Sequence, residues 1–238
     1  MNDPLSNFAT IMDVDGRLLA RQGYYIDNYL FLTDISGQQM LDIGGGNGFL
    51  GLYNLIVRGI SSISIVDSYD SHGGKGGHES AYDHLMGIIQ RHKIKNIDVI
   101  KSDIRDVKLS SGKYDSVYAR NAFHHIFTHG RTKDSDIVEF MQSIRESLVP
   151  GGSLIIGESS RNQVWRFIPP IRKRMANGRW IQNLIAPGRW RRCATSAGFK
   201  TVDLRWYTPY RLRWLKPILS NQVANAFMTG SYILELRQ

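Results

Sequence analysis

The stretch QMLDIGGGNGFLG, residues 39–51, decides which fold this chain adopts. Its first five residues are a short apolar run typical of a strand, four of the next five are glycine, and Phe49 begins a helical pattern. Glycines between a strand and a helix let the backbone come close to a ligand, and the free N–H groups at the helix start favour negative charge. The stretch therefore predicts a strand–turn–helix unit that binds a nucleotide.

On both sides of this unit, apolar runs and helical patterns alternate along the chain. Further strands are predicted at residues 63–66, 97–100, 116–119, 153–157, 199–206 and 231–236. Helical patterns lie at residues 15–32, 80–92, 134–148 and 188–197. The alternation predicts a parallel sheet with helices on both faces, and the two late strands, which lack a helical crossover of ordinary length, predict an antiparallel edge pair. We expect a doubly wound, mostly parallel, seven-stranded α/β fold.

Length and composition favour one domain. The 238 residues, 42% of them hydrophobic, suffice for one well-packed α/β domain. Within it we expect a helical cap over residues 1–36, a cofactor-binding core over 37–160, and a basic segment with the last two strands over 161–238. The single cysteine, Cys193, excludes an internal disulfide. Because neither a secretory signal nor an apolar stretch of roughly 20 residues is visible, we expect a cytoplasmic protein.

The net charge of +9 is divided unevenly along the chain. Residues 160–238 hold 15 Lys and Arg against two acids, a balance of +13, whereas residues 1–159 have a balance of −4. All five tryptophans lie in the basic part: Trp165, Trp180, Trp190, Trp206 and Trp214. This composition indicates either a surface for an anionic partner, such as a membrane or RNA, or a solvated basic face whose tryptophans belong to the core.

Two nucleotide-binding patterns overlap in the glycine turn. Gly46, Gly48 and Gly51 satisfy the G-x-G-x-x-G pattern, and Asp67 stands where a dinucleotide fold places its ribose-binding acid. This favours an NAD-dependent oxidoreductase. The pattern Asp42-x-Gly44-x-Gly46-x-Gly48 instead resembles motif I of the class I (Rossmann-like) S-adenosylmethionine-dependent methyltransferases. That resemblance implies that Asp42 faces the methionine part of the cofactor.

The resemblance to the methyltransferases continues beyond the turn. Asp67 matches the acid that binds both ribose hydroxyls, and Asp103 matches the acid that meets the adenine amino group. Residues 114–121 resemble the family's fourth-strand motif, and residues 148–154 resemble the loop before its fifth strand. The resemblance implies S-adenosylmethionine as cofactor and these cofactor-binding residues: Asp42, Gly44, Gly46, Gly48, Asp67, Asp103, Ile104 and Asn121. Each of the three acids could also simply cap a turn or end a strand.

His124 and His125 are the candidate catalytic residues. Methyl transfer needs a base only if the acceptor must lose a proton, and much of its acceleration can come from positioning. Both histidines follow the fourth strand, so we expect them at the carboxyl edge of the sheet near the methyl group. Alternatively, one packs under the loop and the other orders the backbone. His125 and His129 could share a helix face, but further ligands at suitable spacing are missing, so no metal site is predicted.

The methyl acceptor is narrowed mainly by what the sequence lacks. Residues 121–124 read NAFH, without the Pro-Pro-aromatic pattern of DNA amino-methylating enzymes, and no cysteine stands where a cytosine-carbon methylase needs one. We expect O- or N-methylation of a small-molecule, lipid-linked or otherwise anionic acceptor, with an RNA methyltransferase as the alternative. Arg17, Arg21, Tyr24 and Tyr25 are expected to roof the acceptor pocket. The basic segment 161–238 is expected to meet the acceptor and a membrane surface or RNA.

Overall fold

The computed structural model describes residues 3–69, 78–127, 131–161, 163–164, 168, 184–228 and 230–238. Seven strands form one sheet: β1 (Gln39–Ile43), β2 (Ser62–Asp67), β3 (Ile97–Lys101), β4 (Tyr114–Arg120), β5 (Leu148–Ser159), β6 (Lys200–Trp206) and β7 (Ser231–Arg237). Their order is β3-β2-β1-β4-β5-β7-β6. Strands β1 to β5 run parallel, and β7 pairs antiparallel with both β5 and β6. The predicted fold class is confirmed. The last strand, β7, lies between β5 and the edge strand β6.

Helices cover both faces of the sheet. They are α1 (Pro4–Met12), α2 (Gly16–Tyr25), α3 (Phe49–Ile56), α4 (His78–His92), α5 (Phe123–Ile126), α6 (Asp134–Ser147), α7 (Pro187–Ser196), α8 (Lys216–Leu219) and α9 (Gln222–Phe227). The described residues also form two 3-10 turns, Ile104–Asp106 and Tyr210–Leu215. The helix predicted over 15–32 begins as expected, because the Asp15 carboxylate accepts the Leu18 N–H at 2.7 Å. It then changes to a π-helical turn over Ile26–Leu30.

The two faces of the sheet have separate hydrophobic cores. Neighbouring residues of a strand point to opposite faces. Val117 therefore packs in one core with Leu154, whereas Tyr118 packs in the other with Ile155. Helices α1 and α3 meet on the second face, where Phe8 of α1 is fully buried. The cap predicted over residues 1–36 thus packs directly on the core of the sheet.

The carboxyl edge of the sheet gathers residues that are far apart in the chain. Parallel strands end at the same edge, so Ile43, Asp67, Arg120 and Ser159 all lie there. The antiparallel strand β7 begins at this edge, at Ser231, which pairs with Ser159. This edge is the usual place for ligands in open α/β sheets.

The described part of the basic segment divides its tryptophans between core and surface. Trp190 is 1% exposed and Trp206 is 7% exposed, whereas Trp214 is 73% exposed. The predicted basic cluster at residues 172–174, together with Trp165 and Trp180, lies outside the described residues. Core packing therefore accounts for two of the three described tryptophans. Among the helices of the described residues, none is long and apolar enough to cross a membrane.

We predict that Trp190→Ala lowers the free energy of unfolding by about 3–5 kcal/mol, because it leaves a cavity between Phe123 and Phe127, whose ring centroids lie 5.4 and 5.9 Å away. Trp214→Ala is the matched control, and it should change stability by no more than about 0.5 kcal/mol. Urea unfolding followed by circular dichroism measures both. Equal losses in the two variants would contradict the assignment of Trp190 to the core.

Candidate active site

A cavity of about 450 Å³ lies at the carboxyl ends of β1, β2 and β4. It is lined by Ile43, Gly44, Gly46, Val66, Asp67, Ser68, Ser102, Asp103, Ile104, Arg105, Asn121, Ala122, His125 and Ile126. Six of the eight predicted cofactor-binding residues are among them: Gly44, Gly46, Asp67, Asp103, Ile104 and Asn121. The other two, Asp42 and Gly48, lie beside the cavity and do not line it.

The glycine turn between β1 and α3 is shaped by close approaches that exclude a side chain. Gly44 has φ +74°, and a Cβ atom there would lie 2.5 Å from the Ala122 Cβ. Gly48 has φ +73°, and its Cβ would lie 2.5 Å from Leu85 Cδ1. Left-handed backbone of this kind favours glycine. Gly44 thus keeps the turn against the start of α5, and Gly48 keeps it against α4.

Asp67 combines a structural role with free hydrogen-bonding capacity. Its Oδ2 accepts the Gly46 N–H at 2.9 Å, and its Oδ1 accepts the Tyr69 N–H at 2.8 Å. A carboxylate offers about four lone-pair sites, so each oxygen can accept a further hydrogen bond. The side chain is half-buried on the cavity wall. It can therefore meet a ligand while it holds the glycine turn in place.

Asp42 is a buried acid without a complete set of partners. The residue is 2% exposed, and its Oδ2 atom has no hydrogen-bond partner among the described residues. That oxygen lies under the turn, 3.0 Å from where a Cβ of Gly45 would be. Burial and the nearby charge of Asp67 raise the pKa of Asp42 to about 7, although Arg120 lowers it. An unpaired buried carboxyl oxygen is unfavourable, so Asp42 is suited to a ligand that donates to it.

Asp103 is held by an arginine that the sequence analysis did not identify. The Arg105 side chain donates to both oxygens of Asp103, with Nε 3.0 Å from Oδ1, and the Arg105 backbone N–H donates to Oδ1 at 2.9 Å. These hydrogen bonds lower the pKa of Asp103. Asp103 therefore stays ionised at the cavity wall. The sequence signal for this ion pair was the arginine two residues after Asp103, which is exposed.

His124 and His125 lie together after β4, as predicted, but they differ in surroundings. Their ring centroids are 4.1 Å apart. His124 is buried, whereas His125 is exposed and lines the cavity. The two residues therefore divide the predicted catalytic position between a buried and a cavity-facing imidazole.

Glu158, at the end of β5, holds His124 in place. Its Oε2 lies 2.8 Å from His124 Nδ1, and its Oε1 accepts the backbone N–H of Phe123 at 2.8 Å and that of His124 at 3.4 Å. Glu158 is 3% exposed. A carboxylate on Nδ1 favours the tautomer with its proton there, which leaves Nε2 able to accept one. The sequence analysis missed Glu158, although an acid at the end of a strand was a visible signal.

An aromatic cluster adjoins the carboxyl edge on the side of β4 and β5. Tyr25 contacts Tyr29 and Tyr207, and Tyr24 contacts Tyr29 and Tyr210. The predicted roof residues Tyr24 and Tyr25 thus belong to this cluster, and neither lines the 450 Å³ cavity. The other two predicted roof residues, Arg17 and Arg21, are exposed and also lie off the cavity wall.

Comparison with known proteins agrees with this geometry. A model of the family described as "Methyltransferase domain" matches residues 81–156. The chain is 28% identical over 175 residues to lovastatin diketide synthase mokB of Monascus pilosus, and 30% identical over 165 residues to highly reducing polyketide synthase PKS2 of Leptosphaeria maculans. These matches cover 70% and 64% of this chain, and the chain spans only 6% of the length of each relative.

Solved structures share the fold at low sequence identity. An S-adenosylmethionine-dependent methyltransferase from Mesorhizobium loti has a TM-score of 0.60 at 13% identity, covering 95% of this chain and 100% of that chain. Geranyl diphosphate C-methyltransferase from Streptomyces coelicolor A3(2) has a TM-score of 0.62 at 13% identity, covering 95% and 82%. Residues 81–156 thus match a methyltransferase family model, and the chain has the Rossmann-like fold of solved S-adenosylmethionine-dependent methyltransferases.

Proposed function

We propose that this chain methylates a small-molecule acceptor whose reacting oxygen, nitrogen or acidic carbon must lose a proton. The hydrogen bond between Glu158 and His124 Nδ1, 2.8 Å long and buried beside the cavity, is the observation that carries the proposal. The names of the similar proteins are consistent with this proposal, because they include diketide and polyketide synthases and a geranyl diphosphate C-methyltransferase. Each of those names refers to the making or modification of a small molecule.

The residues around the cavity fit S-adenosylmethionine. Asp67 has lone pairs left for two ribose hydroxyls, and Asp103 with Ile104 would hold the adenine. The unpaired Oδ2 of Asp42 would accept from the cationic ammonium of the methionine part, next to Asn121. When bound, the cofactor supplies an electrophilic methyl group on a sulfonium. The predicted set of cofactor-binding residues is therefore proposed as a whole, with Gly44, Gly46 and Gly48 shaping the turn.

Residues of the chain then handle the proton. With its Nδ1 proton donated to Glu158, His124 has Nε2 available to take the proton that the acceptor loses. The Glu158 carboxylate would stabilise the resulting imidazolium, as a buried acid does for other catalytic histidines. The ring of His125 lies on the cavity wall, with its centroid 4.1 Å from that of His124, and it would contact the acceptor and help to position it.

We also propose that the chain between β6 and β7 rests on an anionic membrane surface. Four large apolar residues are exposed there, in two pairs four residues apart: Trp214 with Ile218 and Val223 with Phe227. Arg211 and Arg213 are exposed beside them, and the sequence holds no Asp or Glu between Asp203 and Glu235. An apolar ridge flanked by cations without acids is typical of an interfacial segment.

The affinity for S-adenosylhomocysteine should rise with pH. Because the raised pKa of Asp42, about 7, leaves its carboxyl mostly protonated at pH 6, and the ligand ammonium needs the carboxylate, we predict about tenfold weaker binding at pH 6 than at pH 8. Isothermal titration calorimetry measures this. Asp42→Asn should bind weakly with little pH dependence. Asp67→Asn should lose about tenfold or more at pH 8, and its pH dependence should shift to lower pH, because the charge of Asp67 helps to raise the pKa of Asp42. A flat profile in the parent protein would remove Asp42 from the site.

The buried histidine should carry the proton transfer. We predict that His124→Ala lowers the rate of transfer of a tritiated methyl group by about 10²–10⁴-fold while S-adenosylhomocysteine still binds. The assay uses a panel of diketide thioesters, phenols and amines. Glu158→Gln should lose much of the rate too, because the amide stabilises an imidazolium less well than the carboxylate does. His125→Ala is the control and should lose less. Full activity of His124→Ala would leave positioning as the mechanism.

The exposed segment should bind lipid. We predict that the protein floats with vesicles containing phosphatidylglycerol but not with phosphatidylcholine alone, and that salt weakens the binding. The double variant Trp214→Ala, Ile218→Ala should lose flotation. Val202→Ala, which removes an exposed apolar residue from β6, should not. Salt-sensitive RNA binding without flotation would reject the membrane proposal in favour of a nucleic acid.

A further inference from the structure

Arg120 is a half-buried cation at the boundary between the cavity and the aromatic cluster. It is the last residue of β4 and precedes Asn121, which lines the cavity. Its guanidinium turns towards α2, where Nη1 donates to Gln22 Oε1 at 2.9 Å and Cζ lies 4.3 Å from the ring centroid of Tyr25. Both contacts fix the orientation of the guanidinium, and neither neutralises its charge.

Three other partly covered arginines have an anionic partner. Arg58, Arg189 and Arg205 form ion pairs with Asp27, Asp134 and Glu235 at 2.8, 2.6 and 2.8 Å. Among the described residues, Arg120 forms no ion pair. A cation drawn partly out of water without an anion is unfavourable. A guanidinium has five N–H donors, and Gln22 uses one of those of Arg120.

Two buried acids lie near enough to influence this region electrostatically. Burial raises the pKa of Asp42 and that of Tyr25, and the charge of Arg120 lowers both. The charge of Glu158 also raises the pKa of Tyr25. Neither acid is in ion-pair contact with Arg120, and Glu158 is occupied by His124 and by two backbone N–H groups. The positive charge of Arg120 is therefore available to an anion that does not belong to these residues.

Two tyrosine hydroxyls converge on the same place. Arg120 is in register with Gly157 of β5, which has no side chain. A Cβ at Gly157 would lie 2.7 Å from the Tyr25 hydroxyl, 3.6 Å from the Tyr118 hydroxyl and 3.8 Å from Arg120 Cγ. The Tyr118 hydroxyl is buried and has no hydrogen-bond partner within the part of the chain that the structure describes. The missing side chain at Gly157 thus gives room to three groups that can all donate hydrogen bonds.

We propose that Arg120, with the hydroxyls of Tyr25 and Tyr118, binds an oxyanion of the acceptor, either a carboxylate or a phosphate. A set of donors around one cation suits an anion, and the planar guanidinium fork matches the paired oxygens of both groups. The site adjoins Glu158 and, through it, His124. It would therefore orient an anionic acceptor towards the proposed base. This inference rests on the proposed function, because it names the acceptor class of the same site.

The test measures anion binding separately from catalysis. Protein saturated with S-adenosylhomocysteine is titrated by calorimetry with acetoacetate, with butyl phosphate and with the neutral acetoacetamide. We expect the parent to bind one or both anions and not the amide, with the stronger anion identifying the source of the oxyanion. Because Arg120 lowers the pKa of Asp42, all affinities are measured at pH 9, well above the pKa of about 7. There, Arg120→Gln should lose about tenfold or more in anion affinity, with unchanged affinity for S-adenosylhomocysteine. Tyr118→Phe, which removes only the unpartnered hydroxyl, should lose less.

Arg213 provides the matched control. Its Cζ also lies over a tyrosine ring, 4.4 Å from the centroid of Tyr210, but at an exposed position. Arg213→Gln should bind the anions like the parent. Equal binding of anions and amide by the parent, or a loss of S-adenosylhomocysteine affinity in Arg120→Gln, overturns the proposal, the latter by placing Arg120 on the cofactor. Failure of the parent to bind S-adenosylhomocysteine at all would instead reject the proposed function, and melting temperatures of the unliganded variants show whether they fold.

Discussion

One buried carboxylate joins the two strands between which the proposed chemistry takes place. Glu158 lies at the end of β5, one residue before the last. Its oxygens accept hydrogen bonds from the backbone N–H groups of Phe123 and His124 and lie next to His124 Nδ1. All of these groups are at the start of the short helix after β4. A four-residue helix has little stability of its own, so these hydrogen bonds set its position. Because Ala122 packs against Gly44 at the same point, the orientation of the histidines and the shape of the glycine turn depend on the same local packing.

The carboxyl edge also collects polar groups whose burial is unfavourable without a ligand. Asp42 has an unpaired oxygen beneath the glycine turn, Tyr118 has an unpaired hydroxyl, and Arg120 forms no ion pair among the described residues. The first belongs on the proposed cofactor side, and the other two on the proposed acceptor side. Polar groups left without partners inside a protein lower its stability. Polar groups of this kind at one edge of the sheet are what a binding site for two polar molecules requires.

Most residues of the proposed cofactor site were predicted from the sequence, whereas most residues of the proposed acceptor site were not. The glycine turn and the acids Asp67 and Asp103 stand at strand ends, and parallel strands bring their ends to one edge whatever the details of packing. Glu158 escaped prediction because its partner, His124, lies 34 residues away. Arg105 was missed although Asp103 is only two residues away, and Arg120 was missed because its contacts, Gln22 and Tyr25, come from a distant helix. The π-helical turn after α2 and the short helices between β6 and β7 likewise depend on contacts with distant residues.

By itself, the sequence determined the alternation of strands and helices, the glycine turn, and the resemblance that led to a methyltransferase, because these depend on local periodicity and on residues at fixed strand ends. Only the tertiary structure decided which histidine has a carboxylate partner, which tryptophans are buried, and which arginines form ion pairs. Such properties depend on distances of a few ångströms between residues from different strands and helices. A one-residue difference in register or side-chain direction reverses them, and the order of residues along the chain does not record that geometry.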